Sequence, residues 1–329
     1  MASSNRYTAL IIIPCLNEEA HIGSLLAQLA VKTDPEKFKI IVADGGSQDR
    51  TRKIVEKFSS EHPNIVLFDN PYKIQSWAVN LCVSEFGDEA DYLIRIDAHC
   101  EYPDDYCAQL IQEAKATNAD SVAVSMDTVG LRTFQKSNAA AQNSKLGNGG
   151  SKHRSIVSGQ WVDHGHHALM TISAFCDVGG YDVAFKANED AELDYRLSAA
   201  GYRIWLTSKT RCTYYPRQTI VSLFRQYQNY GFGRAQNLIK HRVVPKARQL
   251  LPVTILPIIL LSTLTVFHWA AIMPLILWMG VCLSYGFYLA YQQRDWSISL
   301  AGLSAMTMHL AWSIGFWRQM AVAATKPGD

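Results

Sequence analysis

The sequence lacks both of the glycine-rich motifs that most often hold nucleotide phosphates. No Gly-x-Gly-x-x-Gly follows a first predicted strand, and Gly-x-x-x-x-Gly-Lys-[Ser/Thr] occurs nowhere in the chain. These absences argue against a dinucleotide-dependent dehydrogenase and against a P-loop NTPase. Paired cysteines are also missing, because the seven cysteines are scattered and form no Cys-x-x-Cys motif. This usage is typical of reduced thiols facing a cytosol.

Charged residues are almost absent from the C-terminal part of the chain. The whole sequence has a net charge of +2, but residues 249–293 contain no charged side chain. At about 1.5 Å per residue, such a helical run covers roughly twice a ~30 Å hydrocarbon layer. It therefore predicts two membrane spans joined by a turn near residues 268–274. A third uncharged run, at 297–317, is long enough for another span, although its small residues also suit a helix packed against other helices.

The segment before these runs is basic and contains no acid between residues 211 and 248. By the positive-inside bias, we expect this flank to be cytoplasmic. Aromatic residues are interleaved with the basic ones, which favours a helix lying in the lipid headgroup layer over a nucleic-acid-binding surface. The apolar run at 10–13 is short and leads into a loop, so it does not predict a secretory signal. We expect the N-terminal part to stay on the cytoplasmic side.

Buried strands and amphipathic helices alternate through the N-terminal part of the chain. The predicted strands cover residues 8–14, 39–44, 65–68, 92–97 and 121–125, and the predicted helices cover residues 18–32, 49–59, 75–86 and 103–117. Regular alternation predicts an α/β fold, with a mostly parallel sheet covered by helices on both faces. In such sheets, ligands bind at the carboxyl ends of the strands.

A carboxylate and an imidazole follow the fourth predicted strand, in Tyr92-Leu-Ile-Arg-Ile-Asp-Ala-His-Cys100. Asp97 and His99 are two residues apart, so both can reach one ion from the same turn. An oxygen and a nitrogen ligand suit Mn²⁺ or Mg²⁺ better than a closed zinc site. The alternative interpretation is a turn cap with a neighbouring histidine.

The loops after the first two predicted strands also carry polar groups. In the first loop, Pro14 stops the strand, and Asn17 or Glu18 can cap the next helix while presenting an acceptor to a ligand. In the second loop, Asp44 ends the strand, Gly46 allows close approach of a ligand, and Ser47 can cap a helix N-terminus that favours an anion. Either loop could instead be ordinary turn chemistry.

Two further clusters lie downstream. Asn188-Glu-Asp-Ala-Glu-Leu-Asp194 places four acids at a predicted helix start, more than one helix cap needs, so it is the best place to seek a general base. We expect Glu192 and Asp194 to face solvent or to pair with Arg196. The histidines of Asp163-His-Gly-His-His167 suggest metal, but no cysteine or second histidine pair completes a zinc site.

Four motifs in register resemble the donor-site motifs of family 2 glycosyltransferases, which are inverting enzymes of the GT-A fold. They are Ile12-Ile-Pro-Cys-Leu-Asn-Glu-Glu19, Val42-Ala-Asp-Gly-Gly-Ser-Gln-Asp-Arg-Thr51, Asn70-Pro-Tyr-Lys73 with Asn80, and Arg95-Ile-Asp-Ala-His99. The resemblance implies a nucleotide-sugar donor, usually a UDP-sugar. It also implies a divalent ion, Mn²⁺ or Mg²⁺, that holds the donor diphosphate.

The resemblance implies a role for each matching residue on the donor side. Glu18 and Asp44 would bind uracil and ribose, with Lys73 and Arg95 near them, and Asp97 would bind the metal. His99 stands where the family usually has an aspartate. The donor-binding set is completed by residues of the first two loops: Pro14, Asn17, Gly46 and Ser47.

On the acceptor side, the resemblance makes Asp190 the base and gives Glu189 a supporting role. The histidine segment would form the acceptor wall, with contacts from Trp161, Asp163, His164 and His166. The chain lacks the Gln-x-x-Arg-Trp motif of processive members, which indicates transfer of a single sugar. Gln226 and Arg234 in that region remain candidates for diphosphate or lipid-phosphate contacts. The glycine-rich segment 146–155 is either a linker or a mobile loop that closes over the phosphates.

The resemblance also implies a domain plan and a place in the cell. We expect a cytoplasmic GT-A domain at residues 1–218, a basic amphipathic interface segment at 219–248, about three transmembrane helices at 249–322, and a short tail at 323–329. The chain would then be anchored in a bacterial inner membrane, with membrane lipids as partners and no nucleic acid.

Within the family, the sequence looks most like the enzymes of succinoglycan-type exopolysaccharide synthesis. These add β-1,3-linked glucose to a galactosyl polyprenyl-diphosphate lipid, a linkage that no residue of this chain determines by itself. Two alternatives stay open, namely transfer directly to polyprenyl phosphate, and a membrane-tethered nucleotide-sugar or lipid sensor without turnover. Other exopolysaccharide glycosyltransferases, or a second copy of the chain, are open as further partners.

Overall fold

The computed structural model describes residues 6–148, 158–245 and 247–325. Most of the segment 146–155, predicted as a linker or mobile loop, lies outside these residues. The chain forms two compact units: Met1–Met126 with Ser155–Tyr214, and Asp127–Arg154 with Tyr215–Asp329. Residues 127–148 therefore group with the C-terminal helices, whereas the sequence places them in a continuous domain at 1–218.

The secondary structure is an alternation of strands and helices followed by helices alone. The described strands are β1 Tyr7–Cys15, β2 Phe38–Asp44, β3 Ile65–Asp69, β4 Ala90–Arg95, β5 Ser121–Thr128, β6 Gln160–Val162, β7 His166–Thr171 and β8 Ile204–Tyr214. The described helices are α1 Ile22–Lys32, α2 Thr51–Glu61, α3 Gln75–Phe86, α4 Tyr106–Thr117, α5 Thr133–Asn143, α6 Lys145–Asn148, α7 Ile172–Asp177, α8 Glu189–Ala199, α9 Ile220–His241, α10 Ala247–Ser262, α11 Met273–Gln293 and α12 Ala301–Thr325.

One sheet contains the described strands, in the order β3-β2-β1-β4-β7-β5-β8-β6. Strands β1 to β4 pair in parallel, as predicted, whereas β7 is antiparallel to both β4 and β5. The predicted elements agree with the structure, except that α1 and α4 begin later than expected. The residues before each of these helices form turns instead of the predicted first helical turn.

The sheet separates two apolar clusters. On β1, Ile11 and Ile13 pack into one cluster, and Leu10 and Ile12 pack into the other. Alternate side chains of a strand point to opposite faces, so an unbroken apolar strand is what a sheet covered on both sides requires. This burial fixes the ends of β1, β2 and β4 at one edge of the sheet.

The second unit is helical. Within the described part of the chain, three stretches are long and apolar enough to cross a membrane: Gln249–Val266, Trp269–Gln293 and Trp296–Thr325. The first two present most of their surface outward, whereas more than half of the third is buried inside the unit. These stretches correspond to the predicted spans, and the third also packs against other helices, as its small residues suggest.

Helices α9 and α12 pack at very short distance through glycines. A Cβ placed on Gly231 of α9 would lie 1.9 Å from the carbonyl oxygen of Trp312. A Cβ placed on Gly315 of α12 would lie 1.9 Å from the carbonyl oxygen of Gln228. The predicted headgroup-layer segment therefore contains a helix that is packed against a candidate span.

Gly231→Ala is expected to destabilise the protein by about 1–3 kcal/mol, because the added methyl group must push two helix backbones apart. Gly280→Ala is the matched control, since a Cβ at Gly280 of α11 meets no atom within 4 Å. That control should stabilise its helix by about 0.5–1 kcal/mol. Thermal unfolding of both variants in detergent micelles measures the difference, and equal melting temperatures would contradict the close α9–α12 contact.

Candidate active site

Polar loops meet where the parallel strands β1 and β2 end. The backbone N–H of Asn17 donates to Ser47 Oγ at 2.8 Å, and the backbone N–H of Gln48 donates to Asn17 Oδ1 at 2.8 Å. Pro14 pairs in register with Ala43 just before these loops begin. The two loops that the sequence singles out therefore brace each other.

Asp44 is buried, and its carboxylate is held by its own loop. Its Oδ2 atom accepts hydrogen bonds from the backbone N–H groups of Gly46 and Ser47, each at 3.1 Å. Arg52 Nη1 lies 2.9 Å from Asp44 Oδ2 and 2.7 Å from Asp69 Oδ1. Burial would raise the pKa of Asp44, but the hydrogen bonds from Ser47 and Arg52 outweigh burial and lower it. The ionised carboxylate therefore stabilises the loop. It does so together with Arg52, a residue to which the sequence motifs assign no role.

The loops after β3 and β4 join the same edge. Lys73 has a left-handed backbone, with φ of +66°, and its Cα would be 3.2 Å from a Cβ placed on Gly45. Glu18 Oε1 lies 3.0 Å from His99 Nδ1. The structure therefore gathers Glu18, Lys73 and His99 around the strand ends, as predicted for a common site.

The buried Arg95 and the partly buried Asp190 form a bidentate ion pair. Arg95 ends β4, and its Nη1 and Nη2 lie 2.5 Å and 3.1 Å from the two carboxylate oxygens of Asp190 at the start of α8. The hydroxyl of Tyr181 donates to Asp190 Oδ1 at 3.1 Å and accepts from Arg95 Nη1 at 3.0 Å. The amide oxygen of Gln75, oriented toward the guanidinium, accepts from Arg95 Nη1 at 3.0 Å. Bidentate pairing of this kind fixes both partners.

The turn that carries Tyr181 is fixed from two sides. The side chain of Asn80 pairs with the backbone of Tyr181, accepting from its N–H at 2.9 Å and donating to its carbonyl at 2.7 Å. On the other side, Arg196 donates to the carbonyl of Gly180 at 2.7 Å and also to that of Val178, while it is paired with Glu192. Glu192 therefore pairs with Arg196, which is one of the two predicted alternatives.

The prediction for Asp194 was wrong. Its side chain is buried and accepts hydrogen bonds from the histidine segment, so it neither faces solvent nor pairs with Arg196. His167 Nε2 lies 2.5 Å from Asp194 Oδ1, and His164 Nδ1 lies 2.7 Å from Asp194 Oδ2. His166 instead contacts the guanidinium of Arg95, with its Nδ1 3.4 Å from Arg95 Nη2. The three histidines of this segment therefore contact carboxylates and an arginine that lie elsewhere in the chain.

Buried charges shift the pKa values of the groups around Asp190. Burial would raise the pKa of Asp190, but the charges of Arg95 and His167 outweigh burial and hold it well below its usual range. Burial together with the neighbouring Asp190 charge raises the pKa of Glu189 to about 7. Burial and the Arg95 charge lower the pKa of His166 to about 4, so this ring is neutral at physiological pH.

Asp97 is the carboxylate that the sequence predicts to hold a divalent ion. Its side chain is 22% exposed, and its nearest cationic atom is Arg95 Nε at 3.9 Å. Among the described residues, no group of three or more His, Cys, Asp or Glu side chains could enclose a metal. One carboxylate completed by substrate phosphates and waters is the usual arrangement for Mg²⁺. The metal ligands available here therefore fit an ion that is held by the protein and a diphosphate together.

The remaining predicted acceptor residues lie in different places. Trp161 is on the edge strand β6, where its ring packs 5.0 Å from that of Trp205 and Arg203 stacks over it at 4.4 Å. Asp163 follows that strand. Gln226 and Arg234 lie on α9 in the second unit, and Gln226 donates to the hydroxyl of Tyr230 at 3.0 Å. The structure brings His164 and His166 next to the acid cluster.

With this geometry established, comparison with known proteins is informative. The family model described as Glycosyl transferase family 2 matches residues 10–178. The succinoglycan biosynthesis protein ExoA of Rhizobium meliloti (strain 1021) is 55% identical over 313 residues, covering 95% of each chain. The chain belongs to family 2 of the glycosyltransferases. It is therefore an enzyme that transfers sugars, as the sequence motifs predict.

More distant relatives agree with the fold. A dolichyl N-acetyl-alpha-D-glucosaminyl phosphate 3-beta-D-2,3-diacetamido-2,3-dideoxy-beta-D-glucuronosyltransferase of Methanococcus voltae is 23% identical over 68% of this chain and 72% of its own. The solved structure of mannosyltransferase PcManGT from Pyrobaculum calidifontis, in complex with GDP-Man and Mn²⁺, superposes with a TM-score of 0.59 at 18% identity, covering 93% of this chain and 87% of that one. The predicted GT-A fold of the glycosyltransferase is confirmed.

Sequence reasoning missed three residues that contact the predicted site residues of the glycosyltransferase. Arg52 binds Asp44, while Tyr181 and His167 lie beside Asp190. The Gly179-Gly-Tyr-Asp182 turn resembles a family element and is expected in the acceptor-side wall, but the sequence assigns Tyr181 itself no contact with Asp190. Nothing in the local pattern distinguishes His167 from the other two histidines.

Glu189→Gln is expected to remove part of the pH dependence of stability. Because the folded pKa of Glu189, about 7, lies above the usual glutamate pKa of 4.5, the folded protein holds a proton there that the unfolded chain releases. This contribution to stability is fully present below the pKa that Glu189 has in the unfolded chain. It is lost as the pH rises through the pKa that Glu189 has in the folded protein. Thermal unfolding of wild type and variant across that window measures it.

The variant should show a flatter decline in melting temperature over that window than the wild type. The control is Glu56→Gln, the same change at an exposed position of α2. Parallel pH profiles for the wild type and Glu189→Gln would contradict the shifted carboxyl.

Proposed function

We propose that this glycosyltransferase transfers glucose from UDP-glucose to a polyprenyl-diphosphate-linked saccharide, forming a β-1,3 linkage during synthesis of a succinoglycan-type exopolysaccharide. The 55% identity to the Rhizobium meliloti succinoglycan biosynthesis protein supports the pathway. Donor sugar, linkage and acceptor rest on that resemblance. The observation that carries the reaction is the Asp190 carboxylate, which both Nη atoms of Arg95 bind at the end of β4, beside the donor loops.

Asp190 acts as the base. The acceptor hydroxyl oxygen forms a bond to the anomeric carbon of the donor, the bond from that carbon to the diphosphate oxygen breaks, and Asp190 takes the hydroxyl proton. A base must be unprotonated before the reaction, and the pairing with Arg95 keeps Asp190 in that form. The same pairing makes it a weak base, so the contact with Arg95 must loosen as the proton arrives.

The three loops at the strand ends bind the donor. The loop containing Asp44 and Ser47 and the loop containing Asn17 and Glu18 hold the nucleoside, and they are already braced against each other. Lys73 and Arg95 supply positive charge beside them. Such preorganisation lowers the entropy that donor binding must overcome.

Asp97 would hold Mn²⁺ or Mg²⁺ together with the donor diphosphate. When bound, the ion would neutralise charge that develops on the leaving diphosphate. His99 contacts Glu18, which ties the metal-side turn to the donor loop, and direct ligation by His99 remains a proposal.

The helical unit anchors the enzyme in the inner membrane. Three candidate spans and the basic helix α9 support membrane insertion, and the basic residues between 211 and 245 favour a cytoplasmic catalytic unit. Membrane lipids and the lipid-linked acceptor are then the partners.

Asp190→Asn is expected to lower kcat by about 10²–10⁴-fold, the usual contribution of a general base. The assay uses full-length protein in lipid, Mn²⁺, radiolabelled UDP-glucose and galactosyl-diphosphate polyprenol, with label counted in the organic extract. Asp177→Asn, the same change on α7 at a carboxylate that contacts Tyr202, is the control and should leave the rate unchanged.

The outcomes separate the alternative functions. Label transferred to unsubstituted polyprenyl phosphate, and not to the galactosyl lipid, would identify a polyprenyl-phosphate transferase. Donor binding with no transfer to any lipid would identify a nucleotide-sugar sensor. Wild-type turnover in Asp190→Asn would remove Asp190 as the base.

Asp97→Asn is expected to weaken Mn²⁺ binding in the presence of UDP by about 10-fold or more, because one of the few protein ligands loses its charge. Electron paramagnetic resonance of free Mn²⁺ measures binding without turnover. His99→Gln, compared under the same conditions, tests whether the imidazole is a ligand. Unchanged Mn²⁺ affinity in Asp97→Asn would exclude this residue from the metal site.

A further inference from the structure

A second buried carboxylate lies one helical turn behind Asp190. Asp194 is on the same helix, α8, and its side chain is 1% exposed. One oxygen lies 2.5 Å from His167 Nε2, and the other lies 2.7 Å from His164 Nδ1 and accepts from the backbone N–H of Gly165 at 3.1 Å. The proposed reaction gives this carboxylate no direct part, although its position is fully determined.

His167 connects the two carboxylates. Its Nδ1 lies 3.0 Å from the hydroxyl oxygen of Tyr181 and 3.5 Å from Asp190 Oδ1, while its Nε2 faces Asp194. The Tyr181 hydroxyl hydrogen is donated to Asp190, so the Tyr181 oxygen must accept from its other neighbours. In this pattern, both ring nitrogens of His167 donate, which is the hydrogen-bonding state of an imidazolium.

The four charged side chains of this group have a net charge of zero. Asp190 and Asp194 are negative, and Arg95 and His167 are positive, with His167 fully buried. Buried ionic groups cost desolvation free energy, and an apolar core of similar volume is often equally stable. Arg95 alone would suffice to pair Asp190. The His167–Asp194 pair is therefore better explained by its effect on the orientation and charge of Asp190 than by a gain in stability.

We infer that His167 and Asp194 are positioning residues, which act through Tyr181 to hold Asp190 in the orientation and the ionised form that proton acceptance requires. This inference rests on the proposed role of Asp190 as the base. His167 Nδ1 is closer to the Tyr181 hydroxyl, at 3.0 Å, than to Asp190 Oδ1, at 3.5 Å, and His167 contacts neither sugar in this scheme. Asp194 in turn fixes the ring of His167, in the way that an orienting carboxylate fixes a catalytic histidine.

The inference predicts a specific pH dependence. Burial would lower the pKa of His167, but Asp194 and Asp190 outweigh burial and the opposing charge of Arg95, and the pKa is raised. The cation therefore persists to higher pH than that of a free imidazole and is lost as the pH rises through the folded pKa. Tyr181, which also faces the ring, would then lose a donor. Wild-type kcat should fall on the alkaline side for this reason.

The experiment compares full-length wild type with His167→Gln, Asp194→Asn and the double variant in the lipid assay described above. Each variant should lower kcat by about 10–100-fold, the usual effect of removing an orienting partner, with little change in the KM for donor. The alkaline decline in kcat should be absent from His167→Gln. Histidine ¹⁵N NMR of wild type and Asp194→Asn reports the protonation of His167 without turnover.

The double variant separates positioning from folding. Asp194→Asn removes the carboxylate beside the His167 cation, and His167→Gln leaves Asp194 with His164 alone, so both should lower the melting temperature. The double variant restores neutrality and should recover it. Thr207→Val is a stability control, because it removes the hydrogen bond that Thr207 of β8 donates to Glu113 of α4, and neither residue belongs to this group. It should lower the melting temperature and leave kcat unchanged.

The outcomes are distinct. A double variant with recovered stability, low kcat and no alkaline decline supports the inference. Recovery of kcat together with stability would show that His167 and Asp194 are merely structural and would overturn it. Wild-type turnover in Asp190→Asn would instead remove the base itself. An inactive Asp190→Asn beside a normal pH profile in His167→Gln would remove only the positioning role.

Discussion

The Arg95–Asp190 ion pair is the interaction on which the catalytic unit depends. Arg95 ends a central strand of the sheet, and its side chain is only 3% exposed, so the guanidinium requires a carboxylate within reach. A buried ion pair is costly to desolvate, but removing one partner costs about 3–5 kcal/mol more than keeping both. The start of α8 must therefore lie at this strand end, which places the acid cluster beside the donor loops.

The surrounding contacts follow from the need to hold that pair in one geometry. Tyr181 reaches Asp190 from a turn with two left-handed glycines, at φ of +81° and +68°. A Cβ on Gly180 would lie 2.7 Å from Asn80 Oδ1, so the close approach of Asn80 requires glycine there. Asn80 and Arg196 then fix the turn through its backbone. In this turn, the positive backbone φ of two glycines serves to aim the side chain of Tyr181.

Much of the fold could be predicted from the sequence, because unbroken apolar strands alternating with amphipathic helices leave few arrangements of a parallel sheet. The donor loops and Asp97 were predictable for the same reason, since they follow strand ends directly. The grouping of 127–148 with the C-terminal helices was not predictable. Buried polar residues of α5 make that contact, as when Gln135 donates to the carbonyl of Pro216 at 2.9 Å, and they resemble an exposed face in the sequence.

The histidine segment shows why the acceptor side was harder to predict. Regular strand alternation would send His166 and His167 to opposite faces of β7, yet both lie within 4 Å of Asp190. The pairing of β7 with β5 shifts register between Val122 and Ala123, opposite these histidines, and such bulges re-aim side chains. The preceding Gly165 approaches β5 so closely that a Cβ would lie 2.4 Å from that of Ala123. A single strand thus places two adjacent histidines beside the same carboxylate, and the local sequence carries no signature of this arrangement.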